Sequence, residues 1–432
     1  MVTFNEVPAS IRVPGVYVET GASTDQVVGG DQPYRMVILG QRLAGGIAAA
    51  NVPIRVLRAA DGLSLFGQGS MLAQATAAAL ANVSFVDLWV IPMDDPSGGT
   101  AATGSMVFTS DDNAAGTLPV YVLGERLPVA LTAGMTAAEI ATAVAAAING
   151  DVTLPVTAAT ASGTVTVTAK HLGTIGNEIG LGVALGEGEV SPSGVGITLN
   201  AMSSGAGEPD LDAALAAMGD AHYNVVVAPY QEPALLTAVA AEMDARSSAT
   251  RQLGGVAFTA STGNFATLTT LGLTQNSERL VIVGASGSPS APWEWASATA
   301  ALVARDAPEN PARAYTGVAI RGVRAGASSS RLIATERQIL LQSGIATVQT
   351  GNTGVSSAER LITSYRENAL GSTDLTFLDV TSVLTLERLR FDLRTVLQTK
   401  FGRATIVDVG TPVAPGRFAI TVEDVRAEVI AL

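Results

Sequence analysis

The sequence predicts an α/β protein: a mixed sheet with flanking helices, interrupted by a mainly β insertion domain and carrying extended terminal arms. Strand-length apolar runs alternate with helix-length segments at about 31–97 and again at 206–432. Between them, at 98–205, the composition shifts to Gly, Thr, Val and Ala with few charges. Strands that alternate with helices form parallel pairs joined by crossovers, so the simplest architecture is one core split in sequence.

The first 30 residues lack the pattern of a compact domain. Residues 11–19 alternate apolar positions around Pro14 and Gly15, and 16–18 predict a short strand without a local partner. Proline is tolerated at a strand start or on a sheet edge but not in a central strand. Residues 1–30 are therefore either an arm or the ordinary first strand of the core.

The first part of the core, residues 31–97, contains a strand, a helix and a second strand. Tyr34–Leu39 predicts the first strand, Met71–Leu80 an alanine-rich helix, and Phe85–Ile91 a buried strand. Residues 63–66 are predicted to belong to a turn-rich connection. An Asp-Asp-Pro-Ser-Gly-Gly run then ends the α/β pattern.

The insertion, 98–205, contains one well-defined helix among short strands. Thr136 and Glu139 form a capping box before an apolar face, and Asn149 with Gly150 ends the helix. The glycine-rich segment at 186–207 is predicted to be a linker back to the core. The predicted strands are 105–109, 118–123, 128–131 and 164–169.

The second part of the core resumes the alternation. The predicted strands are 223–228, 256–259, 280–283, 345–349 and 355–365. The predicted helices are 209–218, 233–246, 265–271, 293–305, 331–342 and about 380–400. Residues 351–354 form the turn of a hairpin. Ser356 and Glu359 fit a helix capping box, but apolar and polar residues alternate after them, so we expect a strand there.

The composition disfavours several functions. The 432 residues carry 25 basic and 38 acidic side chains, a net charge of −13. Such a surface repels phosphate backbones and anionic lipids, which disfavours nucleic-acid and membrane partners. No apolar run approaches the roughly 20 residues of a membrane span. The first residues show no signal-peptide pattern, so we expect a soluble protein made in the cytosol.

The sequence offers no catalytic, cofactor-binding or metal-ligating constellation. There is no cysteine, which excludes disulfides, thiolate zinc sites and cysteine nucleophiles. His171 and His222 lie in different predicted domains. Residues 281–287 run from a strand into a small-residue loop, but lack Rossmann glycine spacing and a P-loop lysine. We expect no enzyme and no cofactor; the alternative is an α/β nucleotide-binding enzyme.

Several segments, taken in order over most of the chain, resemble the contractile tail sheath proteins of Mu-like phages. The segments are IRVPGVYVE (11–19), LPVYVLGERLPV (118–129), LPVTA (154–158), TVTVTAKHLGTIGNEI (164–179), YNVVVAPY (223–230), PWEW (292–295), ERLITSY (359–365) and QTK (398–400). Similar proteins continue beyond the equivalent of residues 427–432 with a helix and a strand. We therefore expect a C-terminal arm that is shortened or built differently.

The resemblance implies a structural subunit that polymerises and catalyses nothing. Such sheaths form helical stacks of six-subunit rings around a tail tube and contract to drive the tube through the host envelope. The implied location is the virion tail, with assembly in the host cytoplasm. The implied partners are further copies of the chain, the tail tube protein, and baseplate and tail terminator proteins, without nucleic acid or membrane insertion. The sheath of a bacterial secretion or injection machine is the alternative within contractile systems.

The resemblance also assigns roles to the predicted domains. It implies that the N-terminal arm, 1–30, donates a strand to a neighbouring subunit and that the insertion, 98–205, lies on the outer surface. The candidate arm residues are Val13, Gly15, Val16, Tyr17 and Val18.

A basic helix is the candidate tube-facing surface. Residues 381–403 carry five basic side chains against Glu387 and Asp392, although the chain as a whole is acidic. We hypothesise that part of this helix faces an acidic stripe on the tube; the alternative is a solvated helix face with local ion pairs. The candidate residues are Arg388, Arg390, Arg394, Lys400 and Arg403.

Overall fold

The computed structural model describes residues 34–83, 86–111, 113–186, 188–351, 354–412 and 418–431. The described residues up to Glu387 fall in one compact unit, and those from Arg388 onward fall in a second. The predicted N-terminal arm, 1–30, lies outside the described residues. Its candidate residues are therefore outside them too, namely Val13, Gly15, Val16, Tyr17 and Val18.

The strands and helices follow one another in a mixed order. The strands are β1 (Arg35–Gln41), β2 (Ile54–Arg55), β3 (Asp87–Met93), β4 (Ala101–Ser110), β5 (Gly116–Val122), β6 (Glu125–Leu131), β7 (Val156–Ala161), β8 (Thr164–Leu172), β9 (Leu181–Val183), β10 (Val195–Ser203), β11 (Val225–Val227), β12 (Val256–Ser261), β13 (Leu280–Gly284), β14 (Ile345–Thr350), β15 (Ser356–Arg360), β16 (Thr405–Ile406) and β17 (Ala419–Ile420). The α-helices are α1 (Ala59–Phe66), α2 (Met71–Leu80), α3 (Ala137–Gly150), α4 (Leu211–Ala217), α5 (Pro233–Ser247), α6 (Phe265–Leu273), α7 (Pro292–Asp306), α8 (Ala334–Gln342), α9 (Val380–Phe401) and α10 (Val422–Ala431). Short 3-10 helices occupy Thr174–Glu178 and Ser328–Ser330.

An eight-stranded mixed sheet forms the centre of the first unit, which confirms the predicted α/β class. Its order is β15-β14-β13-β12-β11-β1-β3-β2. The six inner strands run parallel, and the outermost strands, β15 and β2, each pair antiparallel with their neighbour. Strands β11, β12 and β13 are buried along their whole length. Parallel strands covered on both faces need apolar residues on both faces, which explains these continuous apolar runs.

The large sheet brings distant parts of the chain together. Met36 of β1 pairs with Val225 of β11, and Ile38 pairs with Val227. The strands that lie between β3 and β11 in sequence do not enter this sheet; they form two antiparallel sheets, β10-β4-β8-β7 and β6-β5-β9. Helix α3 contacts strands of both antiparallel sheets.

Local signals located several elements closely. Helix α2 begins and ends at the predicted residues, and Ser70 caps it by accepting from the Ala73 N–H. The capping box of α3 is present, with Thr136 and Glu139 bonded in both directions. Strands β14 and β15 form the predicted hairpin, so the capping-box pattern at residues 356–359 lies on a strand.

Three predictions about local structure were wrong. Residues 63–66 belong to α1, where Phe66 is fully buried. The predicted linker at 186–207 contains β10, whose pairing with β4 along a sheet edge stabilises it despite little burial. The predicted strand at 355–365 is shorter: β15 ends at Arg360, and Thr363 N–H bonds to the Leu378 carbonyl instead.

The second unit contains the end of α9, the short parallel pair β16–β17 and α10. Lys400 near the end of α9 donates to Glu428 of α10, with Nζ 2.6 Å from Oε1. In the described part of the chain, no helix is both long enough and apolar enough to cross a membrane.

Candidate assembly surfaces

The basic helix predicted to face the tube is α9, but its charges do not lie on one face. Arg388 forms an ion pair with Asp392, one turn further on, at 2.9 Å. Arg390 is two positions from Arg388 and therefore points to another side, which it shares with Arg394. The Arg394 guanidinium lies 5.7 Å from the Phe391 ring centre, within range of a cation–π interaction.

The two remaining basic candidates are arranged differently. Lys400 is engaged by Glu428 and is half-buried. Arg403 follows the last residue of α9 and is exposed. Acidic side chains of the same unit thus compensate part of the excess basic charge of residues 381–403. Arg390 and Arg394 remain the pair that shares a helix face.

The second unit also presents an incomplete sheet. Thr405 and Ile406 pair with Ala419 and Ile420, two residues on each strand. Neither strand has another neighbour among the described residues. The Ile406 side chain is 71% exposed, and Phe418 is also exposed. A two-stranded sheet is marginally stable alone, so within the described residues this pair offers edges and apolar surface suited to further strands.

A buried polar junction links the β-rich part of the chain to the large sheet. His171 of β8 accepts from the Met71 N–H at the start of α2, with Nε2 3.0 Å from that nitrogen. Its Nδ1 lies 2.7 Å from Asp95 Oδ1. Because Nε2 accepts, Nδ1 carries the proton and donates to the carboxylate. Gln41 at the end of β1 donates to the same Asp95 oxygen and to the Leu172 carbonyl.

The junction is held by a charged carboxylate. Burial by itself would raise the pKa of Asp95, but hydrogen bonds from His171, the Leu172 N–H and Gln41 outweigh it and lower that pKa. His171 can be picked out from the sequence, but its partner Asp95 cannot, because it is 76 residues away in the chain. The signal in the sequence for this junction is a single histidine within a strand of alternating apolar and polar residues.

The Pro-Trp-Glu-Trp motif at 292–295 has a packing role. Both indoles are buried, and Pro292 opens α7. Trp293 Nε1 donates to Gln74 of α2 at 3.0 Å, and Trp295 Nε1 donates to Ser288 Oγ at 2.7 Å. The motif therefore fixes α7 against α2 and the loop after β13.

The strand-to-loop segment at 281–287 borders a small cavity rather than a nucleotide-sized cleft. The cavity has a volume of about 120 Å³, below the roughly 300 Å³ at which small-molecule sites begin. Its two arginines are engaged: Arg337 donates to Glu359 and to the Leu332 carbonyl, and Arg331 donates to the Gly326 carbonyl. The geometry is that of close loop packing.

The two histidines lie apart in the fold. His222 Nε2 bonds to the Gly254 carbonyl at 2.8 Å, whereas His171 belongs to the buried junction. No group of three or more potential metal ligands is present among the residues that the structure describes.

One known protein matches this chain along its whole length, and a family model matches its central part. A profile of the phage tail sheath protein central domain matches residues 204–356. The Mu-like prophage FluMu tail sheath protein of Haemophilus influenzae is 33% identical over 432 residues, which cover 100% of this chain and 88% of that protein.

Solved structures with a similar fold include two sheath tail proteins. One, from Desulfitobacterium hafniense, has a TM-score of 0.46 and 14% identity, covering 90% of this chain and 85% of that one. The other, from Listeria innocua, has a TM-score of 0.44 and 14% identity, covering 86% and 78%. The sequence match to the prophage protein is the stronger relationship.

Proposed function

Because this chain belongs to the phage tail sheath family, we propose that it polymerises as stacked six-subunit rings around a tail tube and contracts to drive the tube through the host envelope. The observation that carries the proposal is the 33% identity to a prophage tail sheath protein over the whole chain. The proposed partners are further copies of the chain, the tail tube protein, and baseplate and tail terminator proteins. Assembly takes place in the host cytoplasm, and the protein has no catalytic role.

The proposed link between subunits is a donated strand. Residues 13–18 alternate in the manner of a strand, and the β16–β17 pair has no further strand beside it in the described part of the chain. A strand added there satisfies backbone groups on both partners. At about 0.5–1.5 kcal/mol net per hydrogen bond, a short arm contributes several kcal/mol. Such a link can persist while subunit bodies rotate, because it does not depend on contacts between those bodies.

The proposed tube contact is on α9. Arg390 and Arg394 share a helix face, and in an acidic chain they offer a local basic surface to an acidic stripe on the tube. Exposed ion pairs are screened by salt and individually weak. Contacts of this kind can hold a sheath on its tube and still release it during contraction.

The proposed domain roles follow the two kinds of sheet. The α/β part, 31–97 with 206–432, supplies the core, and the β-rich part, 98–205, lies on the outer surface. The His171–Asp95 junction supports this division, since it fixes the β-rich strands against the ends of β1 and α2.

The proposed energy source is the assembled lattice itself. Head-to-tail contacts that do not close generate a helix, as a sheath requires. An extended lattice assembled in a metastable state passes one way to a better-packed contracted state, so no nucleotide is consumed.

The arm is tested with a matched pair of substitutions. Val16→Pro removes a backbone donor from the donated strand, whereas Val16→Ala keeps it. Sedimentation of each protein with the tail tube protein is measured. We expect Val16→Ala to form polymers like the unaltered chain and Val16→Pro to remain as subunits. Polymerisation by both variants contradicts strand donation, and a failure of the unaltered chain to polymerise contradicts the sheath function itself.

A further inference from the structure

Strand β7 is an outer strand of the sheet β10-β4-β8-β7, and it lacks the usual features that protect a sheet edge. No other strand lies on its outer side among the described residues. The sequence from 155 to 166 contains no charged side chain, and residues 157 and 159–161 are exposed. Its pairing with β8 is continuous, without a bulge. An edge of this kind is open to pairing with strands of other chains unless something else covers it.

The pairing with β8 shows which backbone groups of β7 point outward. The Lys170 N–H donates to the Pro155 carbonyl at 2.8 Å, so residue 155 faces β8. Along an antiparallel strand, successive residues direct their backbone groups to opposite sides. Val156, Ala158 and Thr160 therefore direct their N–H and carbonyl groups away from β8. We call these three residues the outward row of β7.

Asn149 occupies the centre of the outward row. Its Oδ1 accepts from the Ala158 N–H at 2.9 Å, and its Nδ2 donates to the Ala158 carbonyl at 2.8 Å. These are the two bonds that one residue of an added strand would make there. Asn149 belongs to the last turn of α3, and that helix packs against β7. A fixed element thus carries the amide to the strand edge.

The end of α3 does not account for this contact. The C-cap residue is Asp151, whose N–H donates to the Ile148 carbonyl. Asn149 itself is helical, and its side chain is directed to Ala158, nine residues further along the chain. The amide therefore serves the strand edge, and other groups end the helix.

The same two-bond contact from an asparagine recurs near other sheet edges of this fold. Just beyond the end of β10, at the opposite edge of the same sheet, Asn177 binds both backbone groups of Gly205 at 2.9 and 3.0 Å. The outer side of β15 in the large sheet is covered by residues 317–320. Asn82 fastens that segment by binding both backbone groups of Arg321 at 2.8 Å.

From these contacts we propose that Asn149 determines where strands can be added during assembly: it closes the β7 edge, so that no strand of another copy adds to the sheet of the β-rich part. An approaching strand has to displace Asn149 from both backbone groups of Ala158, so it gains no net hydrogen bond at that residue. This inference rests on the proposed function, because it limits the sites at which the arm of a neighbouring copy can pair.

Removal of the amide tests the closure. Asn149→Ala frees both backbone groups of Ala158, and alanine keeps the helix backbone favourable. Two copies can then pair their β7 edges, because this strand carries no charge that repels its counterpart. Sedimentation velocity is measured over a dilution series without the tail tube protein. We expect larger species of Asn149→Ala to appear at a concentration at least tenfold below that of the unaltered chain.

A second substitution locates the association. Thr160 belongs to the outward row, so Thr160→Pro removes an outward N–H and no bond to β8. We expect Asn149→Ala with Thr160→Pro to sediment like the unaltered chain. The proline does not restore the bonds of Asn149, so this reversal separates edge pairing from a simple loss of stability. Thr142→Ala, at an exposed position of the same helix, is the matched control and sediments unchanged.

Two results overturn the closure by Asn149 and leave the sheath function standing. One is an Asn149→Ala variant that associates no more readily than the unaltered chain. The other is association that persists after Thr160→Pro is added. Polymerisation of the unaltered chain with the tail tube protein tests the proposed function separately. A failure there removes the sheath function, while the sedimentation of Asn149→Ala still decides whether Asn149 closes the β7 edge.

Discussion

Glu294 shows how a single side chain links the family-like Pro-Trp-Glu-Trp motif to stability. It lies in the first turn of α7 and accepts from the Ala291 N–H at 2.9 Å. Burial raises the pKa of Glu294 to about 8, and the negative charge of Glu125 adds to the effect. The folded protein therefore retains a proton on this carboxyl at a pH where the unfolded chain has lost it.

That shift predicts a pH-dependent benefit from Glu294→Gln. An unfolded glutamate titrates near pH 4.3. Because the pKa of Glu294 is higher in the folded protein, its protonated carboxyl contributes fully to the free energy of unfolding below about pH 4.3. That contribution is lost as the pH rises through about 8. Glutamine keeps an acceptor for the Ala291 N–H without a charge. We expect Glu294→Gln to be more stable than the unaltered chain by roughly 1–3 kcal/mol at pH 8.5 and equal to it near pH 4.

Urea unfolding at the two pH values measures the effect of Glu294→Gln. The control is Glu139→Gln, at the equivalent position of α3, where hydrogen bonds from Thr136 lower the pKa of the carboxyl. The pKa shift of Glu139 is opposite in sign to that of Glu294, so Glu139→Gln gives no gain in the free energy of unfolding at pH 8.5. If the free energy of unfolding depended on pH in the same way for Glu294→Gln and the unaltered chain, Glu294 would not keep its proton in the folded protein.

The buried junction gives a second residue-level prediction. His171→Ala leaves the Met71 N–H and the Asp95 carboxylate without their imidazole partner in a buried place. An unsatisfied buried group costs about 1–3 kcal/mol, so we expect a loss of roughly 2–4 kcal/mol in the free energy of unfolding. His222→Ala, which removes a partly buried bond to a carbonyl, costs about 1 kcal/mol or less. If His171→Ala and His222→Ala lost the same free energy of unfolding in urea, the junction would contribute no more to stability than an ordinary side-chain hydrogen bond.

Among the elements, α9 shows how the structure refines a candidate surface that the sequence predicts. The sequence located the helix and its excess of basic residues. The structure separates Arg388, paired with Asp392, from Arg390 and Arg394 on another face. Only residues that share a face can meet a tube together, so the proposed tube contact involves that pair.

Charge reversal on α9 tests this assignment. Arg390→Glu with Arg394→Glu is expected to weaken binding to the tail tube protein at least tenfold at low salt, because both charges would then repel an acidic stripe. The difference shrinks as salt is raised, since screening weakens exposed charge pairs. Arg313→Glu with Arg321→Glu, at exposed positions elsewhere, serves as the control in the same co-sedimentation assay. Unchanged tube binding by the α9 variant would refute the tube contact.

The elements that the sequence predicted well are those with local signals. The extent of α2, the capping box of α3 and the hairpin β14–β15 are encoded within a few residues each. Strand β10 was missed because its pairing with β4, not its own composition, stabilises it. The His171–Asp95 junction was missed for the same reason, since its groups meet only after β8 has packed near α2. Lys400 was found, but its partner Glu428 depends on where α10 folds.

At the scale of the whole molecule, the chain combines a compact first unit with exposed edges and side chains that the proposed assembly would cover. The first unit has a continuous buried core beneath the large sheet. Among the described residues, no further strand lies beside the β16–β17 pair, and Leu370 and Leu375 are exposed. The proposed completion of each folded subunit by its neighbours suits a polymer whose contacts rearrange while its subunits stay folded.

Negative-stain electron microscopy of the purified full chain at high concentration, alone and with the tail tube protein, tests the central claim most directly. The account predicts striated tubes of uniform diameter, formed by subunits that keep their folded structure. Folded protein that gives only monodisperse particles under both conditions would contradict a polymerising sheath.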